Sequence, residues 1–216
     1  MHPDTRKRIL EEACRLFAEK GYRGATIAAI CRAAGANIAS VNYYFGTKAA
    51  LYEAAWEYAD SCSRDAYGEF NPGEDARTGV NNHIRRMVLM IFDRGPGGWL
   101  PRLARKDIPT GGELVGRMVS RFLDPRVRSL EQAVAAWLKL PVQDETVRCL
   151  SGYVQSMCVF LNLGLTSRRY FFGEKPNPEQ LEILIKGMQE FAAGGLARFQ
   201  VKDSPVSGEP GNEVKT

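Results

Sequence analysis

At 216 residues the chain has room for one small and one medium domain, and its 44% hydrophobic and 25% charged content is that of a globular protein, not of a disordered or membrane-embedded one. It contains no run of about 18 apolar residues, and the opening MHPDTRKRILEEACRLF lacks the apolar stretch of a signal peptide, so neither membrane insertion nor export is expected. The net charge of +4 is concentrated at one end: residues 1–50 carry Arg6, Lys7, Arg8, Arg15, Lys20, Arg23, Arg32 and Lys48 against Asp4, Glu11, Glu12 and Glu19, while the remainder is balanced. Such an asymmetry suits a chain whose first quarter meets a polyanion, although a soluble helix with scattered bases would show it too.

In chain order, Ile9, Ala13, Leu16 and Phe17 recur at helical spacing and predict a helix over 4–20, with Asp4 able to cap its start and Gly21 to end it. Thr26 is placed to cap a second helix with Ile27, Ile30 and Cys31 on its apolar face, and Gly35 supplies the left-handed residue that stops it. Asn37 can cap a third helix to about Phe45, and Thr47 a fourth from Lys48 to about Phe70. Beyond the turn NPGED at 71–75, Gly and Pro punctuate helices over roughly 76–93, 102–107, 112–123, 124–140, 143–168 and 178–199. The segment DRGPGGWLP at 93–101 reads as a loop. The tail 202–216, rich in Ser, Pro, Gly and Glu, reads as disordered. The fold class is therefore all-α, with domains at 1–50 and 51–201.

The second helix, the turn Gly35-Ala36-Asn37 and the short third helix make a helix-turn-helix, in which the first helix braces and the second offers its N-terminal end to the major groove. Val41 and Phe45 are expected in the core, because a helix this short needs both to dock. Consecutive residues on a helix point about 100° apart, so one of Tyr43 and Tyr44 can pack while the other contacts DNA. Arg6, Lys7 and Arg8 form either an arm near DNA or a solvated helix start.

The string TIAAICRAAGANIASVNYYFGTKAAL at 26–51, with Phe17 and Gly21 before it, resembles the TetR family signature. The resemblance covers residues 1–55 and implies a helical DNA-binding regulator. By it, Ile38, Ala39, Ser40, Asn42 and Tyr43 face DNA bases, while Thr26, Tyr44 and Lys48 hold phosphates. The chemistry agrees, since a hydroxyl at a helix N-terminus, a phenol and an ammonium all suit phosphate. Two positions depart from the pattern. Asn42 stands where the family usually has Tyr, which exchanges a phosphate contact for an amide able to pair with adenine. Ala50 replaces a common acid and weakens the capping box of the fourth helix. The segments LARKDIPTGGEL at 103–114 and CLSGYVQSMCVFL at 149–161 resemble the family's CerR-like subgroup.

The last two helices carry more apolar residues than one buried face requires, so a two-fold homodimer is expected through Val154, Cys158, Leu161, Leu165, Leu184, Gly187, Met188, Phe191, Gly194 and Gly195. Such a dimer implies a roughly palindromic operator in double-stranded DNA. The resemblance further implies a repressor released by a small, largely apolar effector. The candidate pocket residues are Phe92, Trp99, Met118, Phe122, Trp137, Tyr153, Met157 and Phe160, each also at home in any helical core, and the loop 93–101 is a candidate gate.

Enzyme classes are not supported. His2 and His83 are too few for a metal cluster, and His83 is expected at the surface or as a cap. The glycines at 95–98 and 111–112 match no phosphate-binding motif, and no nucleophile elbow occurs. Cys14, Cys31, Cys62, Cys149 and Cys158 are odd in number and never in a C-x-x-C pair, which fits a reducing cytoplasm, and burial in an apolar helix should keep Cys149 and Cys158 inert. No cofactor is expected. The competing function is a helical ligand-binding or scaffold protein whose helix-turn-helix no longer binds DNA.

Overall fold

The computed structural model describes residues 3–69, 75–163, 169, 170, 172, 173 and 176–201. Among them the chain is all-helical, with α1 (Pro3–Gly24), α2 (Ile27–Ala34), α3 (Ile38–Phe45), α4 (Lys48–Tyr67), α5 (Ala76–Phe92), α6 (Trp99–Asp107), α7 (Glu113–Phe122), α8 (Asp124–Leu138), α9 (Glu145–Leu163) and α10 (Pro178–Ala197). The expected tail 202–216, the turn residues 71–74 and the interface candidate Leu165 lie outside the described residues.

Local chemistry sets the early helix boundaries. The side chains of Thr26, Asn37 and Thr47 accept hydrogen bonds from the backbone N–H groups of Ala29, Ser40 and Ala50, satisfying donors that a helix start leaves unpaired. Gly35 closes α2 in the left-handed region at φ 59°, and Ala36 N–H returns to Cys31 O at 2.9 Å. Helix α1 is broken at Gly21, where φ is 72°, but its last turn continues to Gly24. At the far end, Asn177 and Gln180 form a reciprocal capping box for α10.

The segment expected as a loop at 93–101 is mostly helical. Pro96–Gly98 is a tight 3₁₀ turn, and α6 begins at Trp99. Pro101 suggested a break, yet it stands in the first turn of α6, where a helix leaves backbone N–H groups unpartnered in any case. Gly98 serves close packing here: a Cβ would run into Asp93 O and lie 2.9 Å from Met90 O. The proposed gate is thus part of a packed corner, with Trp99 buried and its ring 6.1 Å from that of Tyr58.

Two apolar cores result. The first joins α1–α4 to Met90, to Trp99, Leu100, Leu103 and Ala104 of α6, and to Met118 and Phe122 of α7. The second is built by α5, α8, α9 and α10 around Ile84, Val88, Leu130, Val134, Leu138, Val154, Cys158 and Ile185. Residues 1–50 therefore do not bury their apolar faces alone; α1 packs along both α4 and α6.

Candidate functional site

Helix α3 is anchored by Val41 and Phe45, 1% and 9% exposed, and burying side chains of this size is worth about 1.5–3 kcal/mol each. Anchoring that face turns the other outward. Ile38 and Tyr43 are 54% and 73% exposed, with Ala39 and Asn42 also exposed. Ser40 is half-buried, and its hydroxyl donates to Asn37 Oδ1 at 2.9 Å, so it braces the helix start. Among the expected phosphate ligands, Thr26 is exposed and its oxygen accepts from Ala29 N–H at 3.2 Å, leaving its hydroxyl proton available. Tyr44 is half-buried and edge-on to Tyr43. The Lys48 ammonium lies 4.7 Å from the centre of the Tyr22 ring, and desolvation lowers its pKa against the opposing effect of Asp107. The Arg6 guanidinium lies 5.2 Å from the Phe45 ring, so the start of α1 is held beside the end of α3, while Lys7 and Arg8 pair with Glu11 and Asp4.

A polar lock that the sequence did not reveal lies behind this surface. Asp107, the last residue of α6, is 2% exposed; its carboxylate accepts from Tyr52 Oη of α4 at 2.7 Å and from Tyr22 N–H at 2.9 Å. Burial, then the bond to Asp107, raises the Tyr52 pKa, so this phenol remains a donor. Gly21 is required at the same place, because φ is positive and a Cβ would stand 2.8 Å from Asp107 Oδ1. A second lock joins α4 to α8. Arg126 donates to Asp60 Oδ1 at 2.6 Å, to Ser63 Oγ at 3.1 Å and to Phe122 O at 2.9 Å, all buried.

Between the two cores lies a mostly apolar cavity of about 190 Å³, walled by Met87 and Met90 of α5, Leu100, Pro101 and Ala104 of α6, Leu123, Val127 of α8, and Val159 of α9. Its polar fringe is His83, Arg105, Arg126, Gln155 and Asn162, and it reaches solvent beside Ile108 and Pro109, both exposed. None of the eight expected pocket residues walls it. Trp99, Met118 and Phe122 belong to the first core, and Phe92, Trp137 and Met157 pack on the second. Tyr153 and Phe160 are 64% and 47% exposed, on the outer face of α9.

The expectation for His83 is corrected: it is 3% exposed, not at the surface, and its Nε2 meets Gln155 Oε1 at 2.8 Å. Burial, with further help from Arg126 and Arg86, pushes its pKa down to about 4, so the ring is neutral at pH 7. Cys158 is buried and its thiol pushed up to about 12, whereas Cys149 is exposed, contrary to the burial expected of both. Among the described residues, no group of three or more His, Cys, Asp or Glu is gathered to hold a metal ion.

The expected dimer residues divide. Val154, Cys158 and Leu161 point into the protomer's own core, because α9 uses that stripe against α5 and α8, so they cannot meet a second chain. Leu184 and Met188 are partly buried, while Phe191 (75%), Gly187, Gly194 and Gly195 are exposed. Phe191 borders a shallow apolar depression of about 140 Å³ with Leu150, Tyr153, Met157 and Ala192. No helix among the described residues is long and apolar enough to cross a membrane.

The family model for bacterial regulatory proteins of the tetR family matches residues 9–55. A probable HTH-type transcriptional regulator, YttP of Bacillus subtilis (strain 168), is 38% identical over 127 residues, 57% of this chain and 59% of that protein. The HTH-type transcriptional regulator BetI 1 of Chromohalobacter salexigens is 31% identical over 100 residues, 44% of this chain and 46% of that protein. The matches thus span about half the length of these relatives. Among solved structures, the transcriptional regulator FadR of Bacillus subtilis in complex with stearoyl-CoA superposes with a TM-score of 0.63 at 14% identity, covering 88% of this chain and 98% of its own. A TetR transcription regulator of Haloarcula marismortui gives 0.62 at 19% identity, covering 89% and 98%. At such identities the likeness is one of fold.

Proposed function

We propose that this chain, whose residues 9–55 match the family model for bacterial regulatory proteins of the tetR family, is a cytoplasmic, homodimeric transcriptional repressor, released from a roughly palindromic operator by a small, largely apolar effector. The observation that carries the reading is α3: Val41 and Phe45 anchor it, and this leaves Ile38, Ala39, Asn42 and Tyr43 exposed along one surface. In this reading Asn42 reads a base edge, and Thr26, Tyr44 and the α4 start at Thr47 and Lys48 hold phosphates on either side. Lys48 leaves its place over the Tyr22 ring to reach the backbone.

The dimer forms on the outer face of α9 and α10. Tyr153, Phe160, Ile183 and Phe191 are large apolar residues 47–75% exposed there, and the neighbouring glycines permit close helix approach. The effector occupies the cavity between the two cores, supported by the neighbour of the same fold in complex with stearoyl-CoA. The test is an electrophoretic shift of DNA from upstream of the protein's own reading frame, with the full chain, at two salt concentrations. A shifted duplex whose affinity falls steeply with salt is expected; equal retention of unrelated DNA, or none of any, would sink the reading in favour of a helical ligand-binding protein.

A further inference from the structure

Most side chains on the polar fringe of the cavity have protein partners: His83 with Gln155 at 2.8 Å, Asn162 Nδ2 with Pro101 O at 2.8 Å, and Arg126 with Asp60, Ser63 and Phe122 O. Arg105 differs. It stands on α6 one turn before the mouth at Ile108, half-buried, with no hydrogen bond or ion pair among the described residues. Burial alone lowers its pKa. A guanidinium taken partly out of water without an acceptor is unfavourable unless something else supplies one. The last turn of α6 favours a cation at Arg105 as it does at exposed Lys106, but it supplies no side-chain acceptor for a half-buried guanidinium at the edge of an apolar chamber.

We propose that the cavity binds a compact monocarboxylic acid, its carboxylate paired with Arg105 and its ring or short branched chain against Met87, Met90, Leu100, Val127 and Val159. This deepens the effector reading above and rests on it. Three observations choose the class. Charge is the first: Arg126 is paired with Asp60, which also bridges Arg64, and His83 is neutral, whereas Arg105 is a fringe cation with no carboxylate partner among the described residues, a place that one ligand carboxylate fills. Geometry is the second: the planar guanidinium fork matches a carboxylate in bidentate fashion. Size is the third: about 190 Å³ only modestly exceeds the roughly 150 Å³ that admits benzene, so a ring with a small substituent fits and a long acyl chain does not.

The experiment is calorimetry on the full chain with benzoate, phenylacetate and cyclohexanecarboxylate, each beside its neutral primary amide. At least one acid is expected to bind about tenfold more tightly than its amide, equivalent to about 1.4 kcal/mol. Arg105→Gln should remove that preference by weakening the acid about tenfold more than its amide, and Val159→Phe, which fills the chamber from α9, should abolish binding of both. The proposal is overturned if no acid binds, if amides bind as well as acids, or if the acid preference survives Arg105→Gln. Electrophoretic shifts on the same preparations separate the two readings. Acid binding without DNA binding leaves this assignment standing and removes the regulator; DNA binding with no acid preference does the reverse.

Discussion

Replacing Asp107 should uncouple the elements that carry the two candidate sites. Its carboxylate accepts from Tyr52 Oη at 2.7 Å and Tyr22 N–H at 2.9 Å in a position only 2% exposed, so both donors lose their partner together in Asp107→Ala and water cannot readily replace it. A hydrogen bond to a charged group contributes about 1.5–3 kcal/mol, so two give a loss of roughly 3 kcal/mol or more. Asp107→Asn keeps one acceptor oxygen but turns an N–H toward the other donor, which should cost about 1.5–3 kcal/mol. Tyr52→Phe should cost a similar amount, and the double variant less than the sum, because both act on one contact. Urea unfolding of the wild type and the four variants, with the slope held in common, measures these values. A cost below about 0.5 kcal/mol for Asp107→Asn, the size of an ordinary surface change, would refute the lock. In variants that still fold, operator affinity should also become less sensitive to an occupant of the cavity, because α6 reaches Tyr22 and Tyr52 through this carboxylate.

Lys48→Ala should weaken binding to all DNA sequences alike and reduce the slope of log affinity against log salt by about 1, whereas Asn42→Ala should change base preference by about 1–3 kcal/mol; an unchanged slope, or uniform weakening by Asn42→Ala, would count against these roles. Phe191→Glu should convert a dimer to monomer in sedimentation velocity without loss of helix, since Phe191 is 75% exposed and outside the core; a wild-type monomer at micromolar concentration contradicts the interface. His83 titrates near 4 in the folded chain against 6.5 when unfolded, so its contribution is complete above pH 6.5 and disappears as pH falls through 4, a loss on the order of 3 kcal/mol. His83→Gln should flatten stability between those values, and an unaltered pH profile would show that the ring is not buried in solution.

Signals confined to a few residues were legible in the sequence. Each of the caps at Thr26, Asn37 and Thr47 acts on a backbone N–H three residues away, so the caps of α2, α3 and α4 follow from composition at those positions. The docking of Val41 and Phe45 follows from the shortness of α3. Contacts across the chain were not legible. The pairs Tyr22–Asp107 and Asp60–Arg126 are separated by 85 and 66 positions, and nothing in the local sequence of either partner announces the other. Helical periodicity marks a residue as buried without saying against what: Met118 and Phe122 fit a pocket lining equally well by sequence, yet both belong to the first core, where the Phe122 ring lies 6.1 Å from that of Trp56. The same ambiguity placed Cys158 on a dimer surface and Tyr153 inside, although the two lie on opposite sides of α9.

The position of the cavity suggests how occupancy and DNA geometry could share one free energy. Its wall draws Met90, Leu100 and Ala104 from the core that holds α1–α4, and Met87 and Val127 from the elements of the other, so an occupant acts on the seam between them. Both polar locks border that seam. Asp107 immediately precedes Ile108 at the mouth, and Arg126 lies in the wall itself while gripping Asp60 of α4. A buried ion pair resists gradual stretching, because separating the charges leaves each unsolvated. Any displacement of α4 between α6 and α8 must therefore either keep both locks or break one outright. A ligand shifts the populations of such arrangements only by its difference in affinity between them, typically about 1–3 kcal/mol, and operator DNA must weaken that ligand by the same factor. Measuring ligand affinity with and without saturating operator tests this equality directly, and a ligand indifferent to DNA would separate occupancy of the cavity from control of α3.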